Sequence, residues 1–406
     1  MAYQSFRPSA PIIYDVGIIG AGVMGSATAY FLAKNNPDLK ILLLEQFDLL
    51  HRKGSSHGDS RITRMTYPQE NYTQLMITRA YPLWDEVEKE AKTRIFTKTG
   101  GLDFSRENNV EMRRLISVAR KYGVGIEVLS PSDVRHRFPL ITIPDGWIAV
   151  YSPSSGILNA NKAVSVFQSL SAKRGVTLRD NVKVVKVKWD QFCYEVATEK
   201  GEIFMARKII FTAGPWTRKL LQKQFGPRND LPLQVQQTTI AYWKVDPALI
   251  SAYHSSSFPV FINYEDPFLY GTPAHEFPGL IKCALHNGKE VDPDTRDFEP
   301  DVTGLTEGVA PFLQNFFTRV DPVPVRTESC MYTVSPDQDF VIDELPGHDG
   351  RLFIGCGFSG HGFKLAPVVG SLLAEMVTKG VGKLSPSSTR AAKHFTIQRL
   401  KKSSNL

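Results

Sequence analysis

The chain predicts an α/β fold in which a discontinuous nucleotide-type domain carries an inserted, antiparallel β-rich unit. Three observations lead to it. A glycine turn near the start lies between two opposite periodicities, a second strand–glycine–helix junction follows more than 300 residues later, and a stretch of short strands lies between them.

The first turn is Gly20-Ala21-Gly22-Val23-Met24-Gly25. Before it, Tyr14 to Ile19 reads as a short buried strand; after it, Ala27, Tyr30, Phe31 and Lys34 continue at helical spacing. Ile41 to Leu44 is a second apolar run, closed by Glu45. Strand, glycine turn, helix, strand and terminal acid are the five parts of a dinucleotide-binding βαβ unit. Gly20 permits the sharp turn, Gly22 the approach of a pyrophosphate, and Gly25 close packing of helix on strand. The helix N-terminus offers unpaired N–H groups and a positive dipole end to the phosphates. Glu45 is placed to accept hydrogen bonds from an adenosine ribose. A membrane helix through Val16 to Ala33 is argued against by four glycines and the polar Ser26-Ala27-Thr28. The turn by itself leaves NAD and FAD open.

Further along, Ala160 to Lys173 reads as a helix, Val182 to Trp189 as a half-exposed strand, and Lys208 to Phe211 as a buried strand stopped by Thr212-Ala213-Gly214-Pro215. Trp216 to Gln222 can start a helix. Leu352 to Ile354 runs into Gly355-Cys356-Gly357-Phe358-Ser359-Gly360-His361-Gly362, and a helix follows over Leu365 to Thr378. Between Leu231 and Pro324 the character changes. Val235 to Lys244, Phe258 to Tyr264, Phe268 to Gly271 and Leu280 to His286 read as antiparallel strands with proline-rich turns. Thr97 to Phe104 and a helix over Val110 to Tyr122 are expected to join them. The nucleotide-binding domain is therefore expected over 12–95, 150–228 and 325–400, and the substrate domain over 96–149 and 229–324. A return of the chain to the nucleotide domain at its far end would face the distal half of a long cofactor, which favours FAD.

The 406 residues suffice for two domains with a large core, and 42% hydrophobic and 22% charged residues are ordinary for a globular protein. The net charge of +7 is scattered, with pairs such as Arg113-Arg114 as its longest runs, so it reads as a solvated surface favouring anionic ligands and not as a nucleic-acid stripe. No stretch reads as a membrane span, and Met1 to Pro11 lacks the layout of a secretory signal. Cys193, Cys283, Cys330 and Cys356 lie far apart without metal-ligand spacing; a reducing compartment and no metal are expected. Ser359 lies in Gly-Phe-Ser-Gly-His, which does not fit a hydrolase nucleophile elbow.

Several segments together resemble a known family. They are Cys330-Met331-Tyr332-Thr333, Asp339 to Asp343, Gly357 to Lys364, Leu44-Glu45-Gln46-Phe47, Gly54 to Arg64, Thr212 to Trp216 and Pro278 to Lys282. From Tyr14 to Arg399 the chain is similar to the monomeric sarcosine oxidase and peroxisomal sarcosine/L-pipecolate oxidase family of FAD-dependent amine oxidoreductases. The resemblance implies a Rossmann-like FAD-binding domain and a flavin joined through its 8-methyl carbon to Cys330, which requires a thiolate in a cationic or dipolar setting. Cys356 departs from the family, which commonly has a small residue in that turn, and puts a second thiol near the expected flavin. Beside Gly20, Ala21, Gly22, Val23, Met24, Gly25 and Glu45, the implied cofactor positions are Gln46, Ser56, His57, Gly214, Gly357, Ser359, Gly360 and His361.

Lys282, Ala284 and His286 share one face at period two, a pattern that suits a solvent-facing edge strand as well as an active site. The resemblance favours the second. It gives Lys282 the role of assisting oxygen reduction by stabilising developing negative charge, and places His286 and Tyr270 near the substrate amine and flavin. Arg61 and Arg64, three apart, suit one helical or turn face; the resemblance puts Arg61 beside the flavin and gives the substrate carboxylate to Arg64 and Lys364, a planar fork and a point charge.

The implied activity is oxidation of secondary amino acids, sarcosine or L-pipecolate, at the C–N bond, with O2 reduced to H2O2. The partners expected are an amino-acid substrate and O2, with no nucleic acid and no membrane, and the protein is expected to be a monomer. A dehydrogenase of the same fold passing electrons to a carrier, or a non-catalytic flavin-binding module, are the alternatives. The tail over 401–406, ending Ser404-Asn405-Leu406, is a degenerate form of the Ser-Lys-Leu address read by a peroxisomal import receptor; the expected location is the peroxisome, with the cytoplasm as the alternative.

Overall fold

The computed structural model describes residues 12–227 and 230–403. Its backbone builds two large sheets and a small three-stranded one. In the eight-stranded sheet, Thr177–Arg179, Ile41–Leu44, Ile13–Ile19, Ile203–Phe211 and Leu352–Cys356 lie parallel in that order, and Val341–Glu344 closes the edge antiparallel. The hairpin Val184–Trp189 and Tyr194–Thr198 pairs with the first half of Ile203–Phe211. Ile41-Leu42-Leu43-Leu44 is buried at every position, as a strand covered on both faces requires.

Helix Val23–Asn35 packs on one face of this sheet with helices Ala160–Lys173 and Ala366–Lys379. Helices Val23–Asn35 and Ala366–Lys379 approach so closely that a Cβ on Gly370 would come 2.6 Å from the carbonyl carbon of Ala27. The other face buries Leu42, Leu44, Ile209, Phe211, Leu221 and Ile354 in a separate core.

The second sheet runs Lys289–Glu290, Gln234–Val245, Leu280–Leu285, Leu269–Phe277, Val260–Asn263, Gly101–Arg106, Trp147–Ser152 and Glu127–Leu129, and Val320–Val334 also pairs with Gln234–Val245. It is mostly antiparallel, with Val260–Asn263 lying parallel to Gly101–Arg106. Its core gathers Trp243, Phe104, Phe261, Phe312, Phe316 and Phe317.

Two expectations change. Thr97 to Phe104 is not one strand. The chain breaks at Gly100 (φ +73°), where a Cβ would strike the Tyr151 ring, and Phe96–Lys98 joins Arg61–Thr63 and Gly156–Leu158 in the small sheet. The boundaries expected at 150 and 325 fall inside Trp147–Ser152 and Val320–Val334, each of which runs unbroken in the second sheet. No helix among the described residues is long and apolar enough to cross a membrane.

Candidate active site

A cavity of about 770 Å³ runs between the two large sheets, from the first glycine turn to the end of strand Leu280–Leu285. Its nucleotide end is set by the strand-to-helix turn. Gly20 adopts φ +104°, and a Cβ on Gly25 would lie 1.9 Å from the Gly20 carbonyl oxygen, so helix and strand meet only through glycine. Ala21 N–H donates to Glu45 Oε2 at 2.9 Å, and Val23 N–H donates to Ser56 Oγ at 3.0 Å. Glu45 at the end of the second strand is buried, with its other oxygen accepting from Phe47 N–H. Gly20, Ala21, Gly22, Val23, Met24, Glu45, Gln46, Ser56, His57 and Gly214 all line the cavity.

At the far end the second glycine junction closes over the site. Ser359, Gly360 and His361 line it, whereas Gly357 and Gly25 do not. A Cβ on Gly360 would come 2.6 Å from the Tyr332 ring and 2.9 Å from the His286 ring, so this loop lies directly on those side chains. Ser359 Oγ turns away to accept from Ser335 N–H and pins the loop. Cys330, on Val320–Val334, is buried and lines the cavity. Cys356 is different. It ends strand Leu352–Cys356, packs in the core with Leu233, Val341 and Ile354, lies outside the cavity lining, and burial pushes its thiol up to about 12. The expectation of a second thiol beside the cofactor is thereby corrected. All four cysteines are free and buried.

Lys282, Arg64, Arg61 and Lys364 are among the cations that line the cavity. Lys282 is 3% exposed; its ammonium donates to Glu276 Oε1 at 2.6 Å, to Ser60 O at 3.2 Å and to the Ser60 hydroxyl. Arg64 Nη1 bonds Asp103 Oδ1 at 3.0 Å and the Tyr264 hydroxyl at 2.5 Å, while its buried Nε has no partner among the described residues. Arg61 and Arg64 do not share a helical face: Arg61 opens strand Arg61–Thr63 and gives its guanidinium to the carbonyls of Ser55, His57 and Ser60. Lys364 lies in the turn Phe363–Leu365, anchored by Trp84 Nε1 donating to its carbonyl at 2.8 Å. Lys364 is 9% exposed, with Nζ 5.4 Å from the Tyr67 ring centroid and, unlike Lys282 and Arg64, no ion pair among the described residues.

His286, just past strand Leu280–Leu285, joins a chain of neutral polar groups. The Tyr332 hydroxyl is 3.4 Å from His286 Nδ1 and donates to the Tyr270 hydroxyl at 3.3 Å. Burial, with Lys364 and Arg64 adding to it, lowers His286 to about 4. His57 and His361 are lowered to about 3, first by burial and then by neighbouring cations, and each keeps one ring nitrogen buried without a partner among the described residues.

Asp103, Tyr264, Glu276, Ser60 and Tyr332 escaped the sequence reading as site residues. Only Ser60 and Tyr332 carried a local signal, each lying inside a quoted segment. The cavity fits a long flavin nucleotide: a close glycine turn that admits no Cβ at Gly20 at one end and, among the described residues, buried imidazole and guanidinium nitrogens without partners further along.

The family description "FAD dependent oxidoreductase" matches residues 15–376. The chain is 42% identical to a probable sarcosine oxidase of Arabidopsis thaliana, over 89% of this chain and 88% of that protein. It is 37% identical to a peroxisomal sarcosine oxidase of Homo sapiens, over 92% and 94%. In fold it is similar to NikD, described as an unusual amino acid oxidase essential for nikkomycin biosynthesis, with a TM-score of 0.80, 23% identity and coverage of 93% and 97%. The chain thus belongs to the FAD-dependent oxidoreductase family, among its sarcosine oxidases.

Proposed function

We propose that the protein is an oxidase of secondary amino acids, sarcosine or L-pipecolate, forming an imine from the C–N unit and H2O2 from O2. One observation carries the reading. Among the described residues, buried Lys364 has no ion pair and the buried Nε of Arg64 has no partner, both on the wall of a cavity that the first glycine turn also lines. A substrate carboxylate supplies the anion that Lys364 lacks and an acceptor for the Arg64 Nε, whose Nη1 is already held by Asp103. FAD, when bound, supplies the redox chemistry. Gly20 to Met24, Glu45, Gln46, Ser56 and Gly214 are assigned to its nucleotide end, and His57, Arg61, Gly360 and His361 to its flavin end. Gly25 and Gly357 act by shaping the two turns, and Ser359 by fixing the second. With its carboxylate on Lys364 and Arg64, the substrate presents its amine to the neutral His286 and to Tyr270, and an imidazole lowered to about 4 is unprotonated at neutral pH.

A covalent link at Cys330 is part of the proposal. It is supported by the thiol's place on the cavity wall and by buried Arg296, whose Nη1 donates to the adjacent Ser329 hydroxyl at 2.9 Å. A peroxisomal location is supported by the human relative and by the peroxide product; the tail expected to carry the address, Ser404-Asn405-Leu406, lies outside the described residues.

Oxygen uptake and peroxide yield against a panel of N-methyl and cyclic amino acids test the activity. One peroxide per substrate oxidised is expected, with weaker binding of carboxylate inhibitors in Lys364→Ala. Electrons passing only to an added carrier would make the protein a dehydrogenase, and a flavin that no panel member reduces would make it a binding module.

A further inference from the structure

Glu276 is the penultimate residue of strand Leu269–Phe277, whose pairing with Leu280–Leu285 shifts register between Thr272 and Phe277. Its side chain is 4% exposed, as is that of Lys282. Oε1 accepts from Lys282 Nζ at 2.6 Å and from the Ser60 hydroxyl; Oε2 accepts from the Tyr242 hydroxyl at 2.6 Å. The four residues close a buried network drawn from separate segments. Lys282 belongs to the cavity wall and Glu276 does not, so the ion pair presents its positive end to the cavity.

We propose that Glu276 is a positioning residue of the oxygen-reducing step, keeping the Lys282 ammonium protonated and aimed so that the step holds its rate as pH rises. The proposal rests on the assignment of Lys282 to that step. Dioxygen takes two electrons from the reduced flavin and two protons, and leaves as hydrogen peroxide. Negative charge grows on oxygen as the electrons arrive, and a fixed cation stabilises it. Glu276 touches neither oxygen nor flavin and acts through Lys282.

A buried ammonium tends to lose its proton. Burial lowers Lys282, Arg61 lowers it further, and Glu276 is the largest influence in the opposite direction. The other groups facing it give less. Glu328 also raises it but is itself paired with Arg326, the Tyr242 ring centroid is 6.0 Å away, and the neighbouring His275 is lowered by burial. Glu276 in turn, against its burial, is held ionised at about 2 by Lys282, Ser60 and Tyr242.

Two measurements on the flavin-loaded protein test this from about pH 6 to about pH 9, a span in which an ordinary lysine stays charged. One is the rate at which the reduced protein is re-oxidised by O2; the other is the absorbance spectrum of the oxidised flavin. In Glu276→Gln the rate is expected near wild type at the acid end and to fall toward that of Lys282→Met, about 10²–10³-fold slower, at the alkaline end. The spectrum should show a transition with the same midpoint, absent from wild type and from Lys282→Met. A flat rate profile and a flat spectrum in Glu276→Gln overturn the proposal. Wild-type re-oxidation in Lys282→Met overturns the oxygen role of Lys282 and the proposal with it. Should Glu276→Gln fail to fold, the double variant Glu276→Gln/Lys282→Met decides: a rate equal to Lys282→Met supports action through the lysine, and a slower one overturns it.

Discussion

At the scale of single residues, the site is a set of buried polar and charged groups, several of them held by buried partners. Lys282, Arg64, Lys364 and His286 were legible because each lies in or beside a recognisable segment. Asp103 and Glu276 were not, for a physical reason. Asp103 meets Arg64 across 39 residues of chain, and Glu276 reaches Lys282 only through a register shift that no periodicity announces. The buried histidines make a prediction about pH. His57 is 5% exposed and lowered to about 3 by burial, with Arg61, Arg296 and Arg52 adding to it. In the unfolded chain a histidine titrates near 6.5. Above that value neither state binds the proton and stability is unaffected. As pH falls from about 6.5 toward the folded value, the unfolded chain takes up the proton and the folded one does not, so stability declines. The slope is at most about 1.4 kcal/mol per pH unit for each such histidine. Denaturant melts between about pH 7 and about pH 5.5, above the range of ordinary carboxylates, should show this decline, and His57→Asn should flatten it. An unchanged slope in the variant would mean that His57 takes up its proton in the folded protein.

At the scale of elements, the helices and parallel strands whose periodicity and burial coincide were read closely from the sequence, whereas helices Tyr81–Ala91 and Pro386–His394 and strand Thr177–Arg179 were not read. Ala160–Lys173 and Ile41–Leu44 have the expected limits, and Val23–Asn35 holds every residue expected of the first helix. The small sheet was not read, because three-residue strands such as Phe96–Lys98 and Gly156–Leu158 are too short to carry a pattern. The first turn shows how an element serves the site. Gly25 does not touch the cavity, yet a Cβ there would stand 1.9 Å from the Gly20 carbonyl oxygen and 2.6 Å from Thr212 Oγ1. The helix would have to move off the strand, carrying with it the Ala21 and Val23 amides that Glu45 and Ser56 now hold. Gly25→Ala is expected to cost about 1–3 kcal/mol of stability and to lower the flavin content of the purified protein, read as the ratio of flavin to protein absorbance. Full flavin content would show that the turn adapts without displacing those amides.

At the scale of the whole molecule, the chain passes back and forth between two sheets, and the cavity lies where it crosses. Phe96–Lys98 leads into Gly101–Arg106, and Trp147–Ser152 leads out through Gly156–Leu158, so two crossings are tied together by the small sheet. A cofactor seated there would be lined by residues of both sheets, and its binding would add to the stability of the fold. For a ligand that leaves on unfolding, the stabilisation grows as RT ln(1 + [L]/Kd), about 1.4 kcal/mol for each tenfold rise in free ligand. A ligand bonded to the chain stays with the unfolded state, and added ligand changes nothing. If Cys330 carries the flavin, the wild-type Tm should be independent of added FAD. In Cys330→Ser, loaded without the bond, Tm should climb by roughly 1–2 °C per decade of FAD, the shift expected when a chain of this size gains that free energy. Thermal melts across three decades of added FAD separate the cases. A wild-type Tm that climbs with FAD would mean that the flavin leaves on unfolding and that the Cys330 bond does not exist.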